Sequence, residues 1–186
     1  MLRQFLAVLL SLSLFPAAPA KLGKEQRTLH TASRLTFGPT PADLAAIQKL
    51  GVEKWIDQQL RPESIPENPQ LLERLKSFET LHLSTKDLLA KYPRKPAAGA
   101  KNVQTVYREL AEAKLLRAVH STHQLEELMA DFWYNHFNVF FDKGADRLLV
   151  TSYERDAIRP HVLGKFKDLL LATAKHPAML FYLDNW

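Results

Sequence analysis

Six aromatic rings crowd around one histidine and two asparagines between Met129 and Phe141, a stretch reading Met-Ala-Asp-Phe-Trp-Tyr-Asn-His-Phe-Asn-Val-Phe-Phe. An imidazole titrates near neutral pH, so His136 carries the chemistry of a proton carrier or a metal ligand, with Asn135 beside it as a hydrogen-bonding partner. Its neighbours one helical turn away, Phe132 and Phe140, cannot bind metal. The stretch is therefore neither His-x-x-x-His nor Glu-x-x-His, and a metal at His136 would need ligands from other helices. On a wheel of ~100° per residue, Leu125, Met129, Phe132, His136 and Phe140 share one face, while Asp131, Asn135 and Asn138 lie opposite. This arrangement predicts His136 as a core histidine bonded to a backbone carbonyl or to a side chain of another helix.

A second group of candidates lies in the last third of the chain: Glu154, Arg155, Asp156, Arg159 and His161, with His176 and Asp184 further on. Arg155 and Arg159 are four apart and would present two planar forks on one helical face, which predicts an ion-pair network with Glu154 and Asp156. The functional alternative is a clamp for a carboxylate or phosphate, which bidentate guanidinium pairs recognise. His161 follows Pro160 and favours neither reading. No nucleophile stands out, because Thr151 and Ser152 lack a Gly-x-Ser-x-Gly setting and there is no cysteine. The six glycines form no phosphate-cradling loop, and no pattern specifies a cofactor. Trp133, Tyr134 and Trp186 would make a sugar-stacking platform if exposed, but aromatic residues at this density are expected in a core.

The elements that must position these groups read as helices. Lys24 to Thr36 is helical up to Gly38; Thr40 caps a second helix from Pro41 to about Leu50, with Pro41 in the first position and Asp43 near the positive end. Gly51 separates it from a third helix, Val52 to Leu60. Asn68-Pro69 opens a helix to about Leu81, and Ser84 opens another. Val103 to His120 carries Val106, Leu110, Ala113, Leu116 and Val119 at helical spacing and is the longest clear helix. Ser121-Thr122-His123-Gln124 fits a capping box that would launch the aromatic helix. Gly144 ends the turn after it; Ala145 to Ile158, Val162 to Lys175 and a last turn from Pro177 follow. No strand alternation or repeat is present, so the expected fold is all-α, an irregular multi-helix bundle of short helices forming part of a larger helical domain.

The 186 residues are 46% hydrophobic and 24% charged, as in an ordinary globular chain. Residues 1–20 have a different character: Arg3, an apolar run from Phe5 to Phe15, and small residues at Ala18 and Ala20. They read as a secretory signal peptide cleaved after Ala20, since the run is short against the ~20 residues that span a bilayer. Its removal leaves 24 positive and 20 negative side chains, a net +4, and no stable membrane span. The cationic excess at Lys91, Arg94, Lys95 and Lys101 falls in a Pro/Ala/Gly segment near 92–101 that reads as an exposed linker, so nucleic-acid binding is not expected. Without cysteine, disulfides and thiolate metal sites are excluded.

Several segments together resemble the bacterial family catalogued as domain of unknown function 1800. They are Ser33-Arg34-Leu35-Thr36-Phe37-Gly38-Pro39-Thr40-Pro41, Gly51-Val52-Glu53-Lys54-Trp55-Ile56-Asp57-Gln58-Gln59-Leu60, Asp131 to Phe140, Tyr153 to His161, and His176-Pro177-Ala178-Met179-Leu180. The resemblance covers nearly all of residues 21–186 and implies an exported, helical protein, without an activity or cofactor to transfer. It also implies longer relatives, in which a segment rich in Asn, Glu, Arg and His follows the position of Asp184-Asn185-Trp186. Two functions are carried forward. One is an exported domain with a binding or assembly role toward a protein or cell-envelope partner. The other is a metal-dependent or acid-base half-site around His136, using Glu154, Asp156 or His161, completed by residues missing from this chain.

Overall fold

The computed structural model describes residues 22–93 and 102–185; the expected signal peptide, most of the expected linker and Trp186 lie outside them. Gln26 accepts the Gly23 amide (3.0 Å) at the start of α1 (Lys24–Leu35). Thr40 caps α2 (Pro41–Leu50) through a reciprocal pair of bonds with Asp43. Gly51 turns the chain into α3 (Val52–Gln59) at φ +86°, a conformation that excludes a β-carbon at low cost. Ala32, Ile47 and Trp55 bury their side chains together and hold these three helices as one layer.

Asn68 caps α4 (Pro69–Lys76) as expected, but the helix stops short of Leu81. Residues Glu79–Leu81 form a separate 3₁₀ turn instead, because Glu109 accepts both the amide and the hydroxyl of Thr80 (2.8 and 2.7 Å) and holds this segment against the next long helix. Ser84 caps α5 (Thr85–Lys91), and Asn102 caps α6 (Val103–His120). The capping box predicted for α7 (Gln124–His136) does not form. Ser121 donates to Glu67 (2.6 Å), and Gln124 turns back to donate to the carbonyls of Ala118 and Ser121 while accepting the Phe37 amide. Gln59 similarly donates to the Thr122 carbonyl and accepts the Leu125 amide. Two buried amides thus join the first layer to the rest of the chain, each with its polar atoms satisfied.

The single helix expected over Ala145 to Ile158 is α8 (Asp146–Ser152), a π turn (Tyr153–Ile158) and a 3₁₀ turn (Arg159–His161). Next, α9 (Phe166–Lys175) begins four residues later than Val162, and α10 (Pro177–Tyr182) is capped by the His176 ring nitrogen. The described residues contain no strand, and the fold is an all-α multi-helix arrangement. Its main core combines Leu71 and Leu75 of α4, Leu110 and Ala113 of α6, Ala130 of α7 and Leu149 to Ile158. A smaller cluster of Leu88, Tyr92, Val103, Val106 and Leu148 spans the two sides of residues 94–101. No described helix is long and apolar enough to cross a membrane.

Candidate functional site

His136 is exposed, which overturns its reading as a core histidine. The wheel assumed a helix continuing through Phe140, whereas α7 ends at His136 and Phe137 leaves helical geometry (φ −95°, ψ 49°). The Phe137 carbonyl accepts the Tyr153 hydroxyl (2.8 Å), so a contact from another element secures that end. The face that α7 buries runs through Glu127, Ala130 and, in part, Tyr134, displaced from the stripe of Phe132 and His136. His136 stacks on Phe132 and meets Trp133 and Phe137 edge-on. No hydrogen bond or ion pair joins it to Glu154, Asp156 or His161, and the described residues hold no group of three or more His, Cys, Asp or Glu placed for a metal.

The predicted arginine pair separates. Arg155 forks onto Asp156 (2.6 and 2.7 Å) and donates to the carbonyls of Leu81 and Leu83, tying the π turn to the 3₁₀ segment. Arg159 turns inward instead. Its Nε donates to Glu154 (2.9 Å), and its two terminal nitrogens donate to the two oxygens of Glu127 (3.0 and 2.7 Å). The π turn explains the separation: it adds a residue to the turn, so Arg159 returns to Glu154 five positions back, through its backbone amide as well as its side chain. On a regular α-helix Arg159 would have lain above Arg155. His161 and His176 are half-buried, with burial lowering the His176 pKa, and Asp184 pairs with Lys143 (2.7 Å) at the opposite end of the molecule's last helix.

The expected ion pairs form as Arg155 with Asp156 and Arg159 with Glu154, and the fully buried Glu154 is the hub of a wider network whose other members the sequence did not single out. Lys114 of α6 bridges it (3.3 Å) to Asp131 of α7 (3.1 Å), and Arg117 approaches Glu127 at 3.9 Å. Three cations, Lys114, Arg117 and Arg159, thus face three carboxylates, Glu127, Asp131 and Glu154. Burial by itself would raise the Glu154 pKa, but Arg159, Lys114 and Arg117 together hold it below its ordinary range. Burial also opposes the Arg159 charge, which Glu154 and Glu127 more than restore. Arg117 is pushed the other way, lowered by burial and by its neighbour Arg159. A signal for this network was present: Lys114 and Arg117 fall beside Leu110 and Ala113 on what is otherwise the apolar face of α6.

This network floors a cavity of about 540 Å³ between α6 and α7, roofed by Phe37 from the loop after α1. Leu110, Ala111, Leu115 and Tyr107 supply an apolar wall, and Lys114, Asp131, Tyr134, Asn135 and Arg159 a polar one. Asn135, one of the sequence candidates, donates to the carbonyl and carboxylate of Asp131 at the mouth (2.8 and 3.2 Å). The Lys114 ammonium sits 4.3 Å from the Tyr134 ring centroid. Burial, then Glu154, raises the Tyr134 pKa, so its hydroxyl is a neutral donor, and no described protein group accepts from it. A larger cavity of about 720 Å³ is also lined by Phe37, and its polar lining includes the Gln59 and Gln124 joint and the Thr40–Asp43 cap, all engaged in structure. Trp133 and Tyr134 are both half-buried, so they present no open pair of faces for sugar stacking, and Trp186 is outside the described residues.

The cations and carboxylates that line the α6/α7 cavity are paired with one another. A search of curated proteins and one of solved structures each return no match. A family model described as "Protein of unknown function (DUF1800)" matches residues 30–186, spanning every segment that carried the resemblance from Ser33 onward, and the chain belongs to that family.

Proposed function

We propose that this protein is an exported binding module of the cell envelope and that the α6/α7 cavity is its ligand site. The observation that supports this reading is the lining of the cavity, where an apolar wall of Leu110, Ala111 and Leu115 faces charges that are already paired and the neutral Tyr134 hydroxyl. A ligand that offers an acceptor to Tyr134 and an apolar body to Leu110, Ala111 and Leu115 satisfies the cavity without breaking the ion pairs beneath it. The paired floor also holds the two helices in place before the ligand arrives, which lowers the ordering cost of binding.

A suitable probe is 8-anilinonaphthalene-1-sulfonate, whose aromatic body and acceptor head match the two walls. Fluorescence titration of the mature protein should show one saturable site. Tyr134→Phe should weaken it roughly fivefold, the worth of one hydrogen bond of about 1 kcal/mol. Ala111→Trp, at a half-exposed position lining the cavity, should block it by filling the space. Unchanged titrations in both folded variants would overturn the assignment.

A further inference from the structure

We propose that the aromatic cap formed by the end of α7 and the start of α9 is a peripheral binding surface for anionic lipid. The surface is separate from the α6/α7 cavity and shares no residue with it. Phe132 and Phe166, from different helices, are 53% and 55% exposed, although burying a phenyl ring is among the most favourable things a folded chain can do with one. Trp133 joins them, its ring centroid 4.9 Å from Phe132 and 5.8 Å from both Phe137 and Phe166, and His136 stacks on Phe132. Leu170, one turn beyond Phe166, extends the apolar surface along α9. The two exposed rings are therefore joined across two elements by the half-buried Trp133.

Charge selects the occupant. Lys165 and Lys167 flank Phe166, and Lys175 ends the same helix. All three are exposed and make no ion pair with a described residue. Asp168 is the one acidic residue of α9, and His136 is the one titratable group among the stacked rings. Aromatic rings settle at headgroup depth, and lysine stems lie along apolar surface while their ammonium groups reach anionic phosphates. Shape points the same way. The rings line neither cavity described above, and the described residues contain no strand edge for a peptide to pair with, whereas a fluid lipid surface conforms to exposed rings.

The test is flotation of the mature protein with vesicles of phosphatidylglycerol and phosphatidylethanolamine, against vesicles of phosphatidylcholine, with a cooperative melt confirming that each variant folds. The wild type should float with the anionic vesicles, and the bound fraction should fall as salt is raised. Phe132→Ser combined with Phe166→Ser should lower the apparent affinity roughly tenfold or more, since two exposed rings no longer leave water. Lys165→Glu combined with Lys167→Glu should remove the preference for phosphatidylglycerol. Dye titration of the α6/α7 cavity should be unchanged in the ring variant, which separates failure here from failure of the binding-module reading. No flotation of the wild type, or equal flotation of the ring variant, would overturn the proposal. So would a dimer that the ring substitutions dissociate and that ignores vesicles, because the cap would then be an interface between copies.

Discussion

Asp146 is wholly enclosed, and neither of its carboxylate oxygens accepts a hydrogen bond. Burial raises its pKa from 3.8 to about 6, against a smaller opposing pull from Lys143. Because the folded pKa lies above the unfolded one, the folded state binds the proton more tightly, and stability falls as pH rises from about 4 to about 6. Above that window the penalty is constant, at most about 3 kcal/mol from the size of the shift. Asp146→Asn should therefore be more stable than the wild type in urea at pH 7.5, with the gap closing below pH 4. A less stable Asn variant at pH 7.5 would show instead that the ionised carboxylate is held by a group the fold supplies. Glu154 carries the opposite sign. Its depressed pKa means that its ion pairs stabilise the fold above pH 4.5 and are lost as pH falls through the lower folded value. Arg159→Met removes the cation shared by Glu154 and Glu127 and should cost about 3 to 5 kcal/mol at neutral pH, less in acid. An equal cost at pH 3 and pH 7 in denaturant melts would mean that packing rather than charge is lost.

At the scale of elements, the turn between α2 and α3 isolates backbone strain from packing. Gly51 has φ +86° and ψ 149°, and a β-carbon built there would touch nothing within 4 Å. Gly51→Ala should thus cost about 1 to 3 kcal/mol through conformation alone, read as a shift in the urea midpoint at unchanged slope. A change within a few tenths of a kcal/mol would mean that the turn relaxes. This turn was legible in sequence, as were the caps at Thr40, Asn68 and Ser84, because each depends on residues no more than three or four positions away. The departures have distant causes. Thr80 is held by Glu109, the end of α7 by Tyr153, and the π turn coincides with a pairing between Arg159 and Glu127, 32 residues apart. Neither His136's exposure nor the two fates of Arg155 and Arg159 follows from periodicity, since each was decided by where another helix supplied a partner. The candidate site was legible only in fragments. Asn135, Glu154 and Arg159 were in hand, but Lys114 and Glu127, which complete the site, were not singled out, and Tyr134 was expected in a core.

For the whole molecule, the question is how two parts of the chain stay together across residues 94–101. Leu88 and Tyr92 precede this segment, and Val103 and Val106 follow it, yet all four share one buried cluster with Leu148 of α8. The main core also draws on both sides, with Leu71, Leu75 and Leu81 from before the segment and α6 through α10 from after it. Gln59 and Gln124 add a polar joint across the same divide. A Pro/Ala/Gly sequence carrying Arg94, Lys95 and Lys101 is where trypsin is expected to cut first. The Lys95-Pro96 bond resists trypsin, which leaves the bonds after Arg94 and Lys101 as the sites. Limited digestion should therefore give two fragments meeting in this segment. They should co-elute on gel filtration at the volume of the intact chain, because the surfaces that hold them are buried side chains rather than the peptide link. Denaturant should separate them at a lower concentration than unfolds the uncut protein, since the cut frees the entropy that the link had removed from the unfolded state. Fragments that part under native conditions would show that the cluster around Leu88 and Val106 and the shared core are too weak to hold the halves without the chain between them.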